Sequence, residues 1–456
     1  METWPKLVNP KRLSSRNLTG KVIDISGSDD IKPSIGMLND KEMVMFTHHN
    51  HYEYETHLSK EQIDKERLTE IIHTVMYRTE DGGETWECCG HMPFHDGYEA
   101  SATVIDGVIY VQDHEFYNIF ADHDNVIARI FCSEDKGRTW SETRIDSAFL
   151  NITEPANFCL DRNFISLSDN SVAGFIQVRE SDRGYTMRIT TKDKGKSWSI
   201  SPVIERICCV PGCTRATLCE AFFFRTPKTN RLMAVSRVDW SRFTKKQLLQ
   251  IPNAVIQDSQ ADIDSIDGLM LLESKDEGLT WDPVRGLGYQ GMMYPSVLYL
   301  NEQDLLLTYT KRTATTVSPY PHMGVQAILG KELEDGSFEF DFEHDIVVID
   351  DRTPDYSENG GGFGITQMLS DGSFITPYSY RVNDATLDNL FSTGEFDSYD
   401  LFMRYYKKTR QRYKCPTECH FTNGSFDLRR HLISCFAYEK METWLKSEVL
   451  KWKLEL

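Results

Sequence analysis

Four arginines fall at matched places in this chain. Arg179 lies nine residues after Asn170, Arg312 nine after Gln303 and Arg381 nine after Gly372, while Arg237 lies seven after Asn230. Each of the earlier residues sits in the turn of an apolar hairpin, and a two-residue difference keeps a side chain on the same face of a strand. One arginine so placed would be a surface charge. Four in register imply a cationic centre that holds an anion, because guanidinium groups clamp carboxylates bidentately. The competing expectation is that each pairs with a local Asp or Glu. Glu220 lies seventeen residues before Arg237, so it would face the same mouth and stay ionised near the arginines. His48, His49, His51 and His114 take the corresponding places in the first two hairpins.

The elements that carry these residues repeat. Residues 33–46, 99–112, 164–178, 220–236, 294–310 and 363–380 each read as apolar strand, turn, apolar strand. A second pattern, S/T-x-D-x-G-x-T/S-W, follows the first four: Asp81 with Trp86, Asp135 with Trp140, Asp193 with Trp198 and Asp276 with Trp281. Asp accepts backbone hydrogen bonds in a tight turn, Gly supplies a positive φ, and Trp re-enters a strand and fills the gap between sheets. This is a structural device with no catalytic role. A decayed copy lies at 331–341, and 401–408 reads as a last strand. Six hairpins, each followed by an outer hairpin, predict an all-β fold, a six-bladed β-propeller over residues 20–410. Residues 20–26 would complete the last blade, after an N-terminal extension over 1–19. The polar inserts at 48–72 and 239–267 either rim a binding site or are solvated loops.

The repeated turns resemble the Asp boxes of sialidases (neuraminidases) and related BNR-repeat proteins, over nearly all of 20–410. Glu220 followed by a strand ending at Arg237 resembles that family's fourth-blade motif. The resemblance implies a retaining exo-α-sialidase: a hydrolase of carbohydrate metabolism with an arginine triad, an Asp acid/base and a Tyr nucleophile activated by Glu. A neutral nucleophile avoids repulsion from the sugar carboxylate, which makes sialidases an exception to the two-carboxylate rule. On this sequence the triad maps to Lys32, Arg237 and Arg312, with Arg179 and Arg381 as further cations and Glu220 as the activating carboxylate. Lys32 stands where the family has Arg, and Phe363 stands at the nucleophile position. Tyr294 and Tyr356 are the candidate nucleophiles. Glu53, Asp64 and Glu70 are the candidates for the acid/base. Sialylated or other acidic glycans are the implied partners. Alternatives on the same scaffold are a non-catalytic acidic-glycan-binding propeller and a polysaccharide lyase using the histidines.

The chain has 456 residues and a net charge of −19, from 50 Lys and Arg against 69 Asp and Glu. No basic face is evident, which argues against nucleic acid. No apolar run is long enough to span a membrane. The start shows no apolar signal region, which predicts a cytoplasmic chain with reduced thiols, or a secreted one if the true start lies upstream. The propeller needs no cofactor. Beyond 410 the expectation is a short helical tail, 411–456. Cys415, Cys419, His431 and Cys435 are spaced as in a C2HC zinc finger, and the segment is read either as a structural zinc site or as a helical tail with free thiols. Residues 436–456 read as an amphipathic helix.

Overall fold

The computed structural model describes residues 4–25, 30–50, 72–95, 100–114, 128–153, 156–180, 183–206, 218–254, 267–312, 318–352, 364–381 and 445–454. They form six antiparallel sheets arranged as the blades of a propeller. Blade one is Asp30–Met37, Met43–Asn50, Ile72–Thr79 and Glu87–His95. Blade two is Ser101–Ile105, Val108–His114, Ala128–Ser133 and Ser141–Ile145. Blade three is Asn157–Leu160 with Ile165–Ser166, then Val172–Arg179, Gly184–Thr191 and Ser199–Pro202. Blade four is Phe222–Arg225, Leu232–Asp239, Asp267–Ser274 and Thr280–Leu287, with Ile204–Glu205 added parallel to the last strand. Blade five is Met292–Tyr299, Asp304–Lys311 and Gly324–Glu332, onto which Phe338–Phe340 and Ile346–Asp350 both pair.

Blade six closes the ring with both ends of the chain. Its order is Gln367–Met368, Ser373–Arg381, Leu445–Leu454 and Leu18–Asp24. The amphipathic helix expected at 436–456 is therefore a strand where it is described, and the expected helical tail gives way to β-structure there. Trp452 is 1% exposed and packs at a tilt with its ring centroid 4.6 Å from that of Phe374, and its indole N–H donates to Thr376. That strand takes the place assigned to 401–408, which lie outside the described residues. Lys6–Val8 is likewise an outer strand of blade five. The sheets thus take strands from both sides of the 20–410 limits.

The repeated turns share one hydrogen-bond pattern. The leading Thr or Ser hydroxyl donates to the Asp carboxylate at 2.8–3.0 Å and accepts the Gly N–H at 2.7–3.0 Å. The N–H before the Trp donates to the same carboxylate at 2.7–3.0 Å. The Trp then packs on the preceding blade: Trp140 on Phe46, Trp198 on Tyr110 and Trp281 on Phe175. In blade five Phe338 stands in for Trp and packs on Phe224. The blades are cemented mainly by these aromatic contacts and by buried aliphatic faces.

Second strands end, and third strands begin, at one end of every blade. Arg179, Arg237 and Arg381 lie there, and Arg312 lies one residue past its strand. The inserts of blades one and four leave from the same end. In the latter, Trp240–Arg242 and Lys245–Leu248 form short helical turns.

Candidate active site

Three blades carry a positive-φ residue in or just before their first strand. Lys32, Glu220 and Tyr294 open blades one, four and five with φ of 50°, 49° and 49°. Proline follows Lys32 and Tyr294, and both ladders shift register at the kink. Non-glycine residues rarely adopt this conformation, and such kinks collect where a side chain must be re-aimed.

Glu220 and Arg237 meet. Arg237 Nη1 donates to Glu220 Oε1 at 2.7 Å, and its Nε donates to Asp267, whose side chain is fully buried. Asp267 opens the third strand of blade four, one strand over from Arg237. Arg237 is therefore held between carboxylates, as the local-pairing expectation had it. Glu220 Oε2 is buried and has no hydrogen-bond partner among the described residues.

Arg179 behaves differently. It ends the second strand of blade three, and its Nη2 donates to Gln177 Oε1 at 3.3 Å. Among the described residues no carboxylate salt-bridges it. Gln177 Nε2 donates in turn to Asp161 Oδ1 at 3.3 Å. Asp161 is 0% exposed, and the same oxygen accepts the N–H of Ala221 at 3.0 Å. Burial pushes the Asp161 carboxyl up to about 8, so it holds its proton at neutral pH.

Tyr294 lies 3% exposed between two guanidiniums, with Arg162 at 5.4 Å and Arg312 at 5.0 Å from its ring. Arg162 belongs to blade three. It reaches to blade five, where its Nη1 donates to the Pro295 carbonyl at 2.8 Å, and its own N–H donates to the Ala221 carbonyl. It thus links blades three, four and five. Lys32 is 9% exposed, and its N–H donates to Ser379 of blade six.

The structure thus brings together Glu220, Arg237 and Arg179, with Arg162 and Arg312 meeting at the Tyr294 ring. Arg381 ends its strand, but its side chain lies outside the description, as do those of His48, His49 and His114. Tyr356, Phe363, His51, Glu53, Asp64, Glu70, Cys415, Cys419, His431 and Cys435 lie outside the described residues. Sequence reasoning passed over Asp161, Arg162, Gln177 and Asp267. The run Asp161-Arg162-Asn163-Phe164 precedes the third hairpin as Lys32 opens the first, which was the available signal.

No family model and no curated protein matches the sequence. Solved structures do match. A protein of unknown function from Dyadobacter fermentans is 15% identical, with a TM-score of 0.54 over 80% of this chain and 95% of that one. The Hadza microbial sialidase Hz136 is 15% identical, with a TM-score of 0.50 over 79% of this chain and 66% of that one. The fold is sialidase-like. At these identities the likeness is one of fold, and this chain matches just under two thirds of that sialidase's length.

Proposed function

We propose that the propeller is a sialidase-type glycoside hydrolase, which takes the carboxylate of a terminal acidic sugar at its axial mouth. The observation that carries this reading is Arg179, a cation with no carboxylate salt bridge among the described residues, close enough to Glu220 and Arg237 to feel the charge of both. Arg179 and Arg312 are the groups that would hold the sugar carboxylate. Arg237 serves Glu220 by orienting it through their 2.7 Å contact. Tyr294, flanked by two guanidiniums, supplies a phenol rather than a carboxylate to attack an anomeric carbon that bears its own carboxylate. Tyr294 Oη would bond to the anomeric carbon as the bond to the aglycone oxygen breaks, its proton passing to Glu220 and the aglycone leaving as an alcohol protonated from water; a second water would then hydrolyse the tyrosyl-glycoside with retention.

A specific observation favours a second reading, a binding propeller without turnover. Phe363 stands where the resemblance places the nucleophile, and Tyr294 belongs to blade five.

A fluorogenic sialoside separates them. Glu220→Ala and Tyr294→Phe are each expected to lower release of the fluorophore by about 10²–10⁴-fold. Undiminished release in Glu220→Ala would sink the hydrolase reading. No release by the unaltered protein, with N-acetylneuraminic acid bound and that binding weakened by Arg179→Ala, would establish the second.

A further inference from the structure

We infer that Asp161 is the positioning residue of the mouth, a single buried carboxyl that sets both Arg179 and Glu220. The inference rests on the reading above for what the mouth binds, but its geometry does not depend on that reading.

Asp161 Oδ1 accepts from two elements at once. From the second strand of blade three it takes the Gln177 side-chain amide at 3.3 Å, and from blade four the backbone N–H of Ala221 at 3.0 Å. The first bond settles which way the Gln177 amide faces. With its nitrogen turned to Asp161, its oxygen is left to accept from Arg179 Nη2 at 3.3 Å. A flipped amide would present N–H groups to a guanidinium, and both are donors. Asp161 therefore holds Arg179 through Gln177.

The second bond holds Glu220. That residue sits at φ 49°, a conformation that a non-glycine residue keeps only when its surroundings enforce it. Its carbonyl leads directly into the Ala221 N–H that Asp161 accepts. The carbonyl of Ala221 is fixed as well, accepting the N–H of Arg162 at 3.0 Å. Ala221, the residue after the kink, is thus held at both its N–H and its carbonyl by consecutive residues of blade three.

Asp161 touches no solvent, so it does not meet a ligand itself. Its outer oxygen, Oδ2, is buried and has no hydrogen-bond partner among the described residues. The acceptor Oδ1 therefore does the positioning, and an amide oxygen at the same place would serve. This separates Asp161→Asn, which keeps an acceptor, from Asp161→Ala, which removes it. Gln177→Ala breaks only the branch to Arg179.

The test uses the full chain and two kinds of readout. One is free of ligand: hydrogen exchange at the Ala221 amide, and modification of Arg179 by phenylglyoxal located by mass spectrometry. The other is affinity for N-acetylneuraminic acid. Asp161→Ala is expected to speed Ala221 exchange by about tenfold or more, as loss of one buried hydrogen bond would, and to change the rate of Arg179 modification. Asp161→Asn is expected to restore both. Gln177→Ala should alter Arg179 modification and leave Ala221 exchange as it was. Affinity should fall in Asp161→Ala and Gln177→Ala and be rescued in Asp161→Asn. Unchanged exchange and modification in Asp161→Ala, or no rescue in Asp161→Asn, would overturn the inference. If the ligand-free readouts behave as stated and the unaltered protein binds no acidic sugar, the inference stands and the functional reading falls.

Discussion

Arg237 and Arg179 look alike in the sequence and do different work. Arg237 lies between Glu220 and the fully buried Asp267. Removing it takes a cation away from two carboxylates, one of them with no solvent to turn to, and breaking a buried pair in this way costs about 3–5 kcal/mol. Arg237→Ala is therefore expected to lower stability by about that amount in urea unfolding. Arg179→Ala leaves no carboxylate stranded and should cost about 1 kcal/mol or less. A loss of ligand binding in Arg237→Ala would thus be confounded by unfolding, whereas Arg179→Ala isolates the anion contact. Asp161 adds a pH signature. Its folded-state carboxyl titrates at about 8, above its ordinary value near 3.8, because it is buried. Glu205 and Glu220 raise it further, while Ala221 and Gln177 hydrogen bonds lower it. The folded state binds more protons than the unfolded chain between those values, so this residue's contribution to stability falls as pH rises from about 4 to about 8. In Asp161→Asn that fall is removed. The difference in unfolding free energy between variant and parent should shift in the variant's favour from pH 5 to pH 8, and parallel profiles would refute it.

At the scale of the element, the repeated turn was legible because its physics is local. Thr191, Asp193, Gly195 and Ser197 satisfy one another within seven residues, and the sequence carries that whole bond pattern. What it could not carry is the neighbour. A Cβ on Gly195 would stand 2.3 Å from Cys132 Sγ of the preceding blade, at φ 85°. Gly107 has φ 75° and nothing within 4 Å of such a Cβ. Gly107→Ala should cost about 1 kcal/mol, for the backbone alone. Gly195→Ala should add an overpacking cost of about 1–3 kcal/mol, read as a larger drop in the urea midpoint. Equal costs would show that the turn does not press on its neighbour. The same limit explains the misread tail. Inner strands of a blade are covered on both faces, so strict alternation weakens. In Leu445–Leu454 both Val449 and Leu450 are buried side by side, which imitates a helical stripe. The arginine register was visible because strand periodicity fixes it. The contacts that hold the site behind them were not, since Asp161 and Ala221, or Arg162 and Pro295, meet across 60 and 133 residues of chain.

At the scale of the molecule, closure depends on the two ends of the chain meeting in blade six. Leu445–Leu454 pairs with Ser373–Arg381 on one side and with Leu18–Asp24 on the other. Without it the N-terminal strand has no ladder to join. A side-chain clasp ties this strand to blade five: Arg352 donates to Asp350 at 2.6 Å and to Glu448 at 2.6 Å, and lies 3.6 Å over the Tyr380 ring. Tyr378 and Tyr380 donate to the two oxygens of Glu448. Asp350 has no exposed side-chain area and Glu448 has 7%, so Arg352→Ala leaves buried charge unpaired and should cost about 3 kcal/mol. Removal of residues 445–456 should do more than this. It exposes Phe374 and Ile375, frees Leu18–Asp24 and opens two sheet edges, so the transition should lose cooperativity and trypsin should cut within 4–25 under conditions where the full chain resists. The urea midpoint should order as full chain, then Arg352→Ala, then truncated chain. A truncated chain that unfolds at the same midpoint as the full one would mean that the ring is held by inter-blade packing alone, and that blade six does not need its third strand.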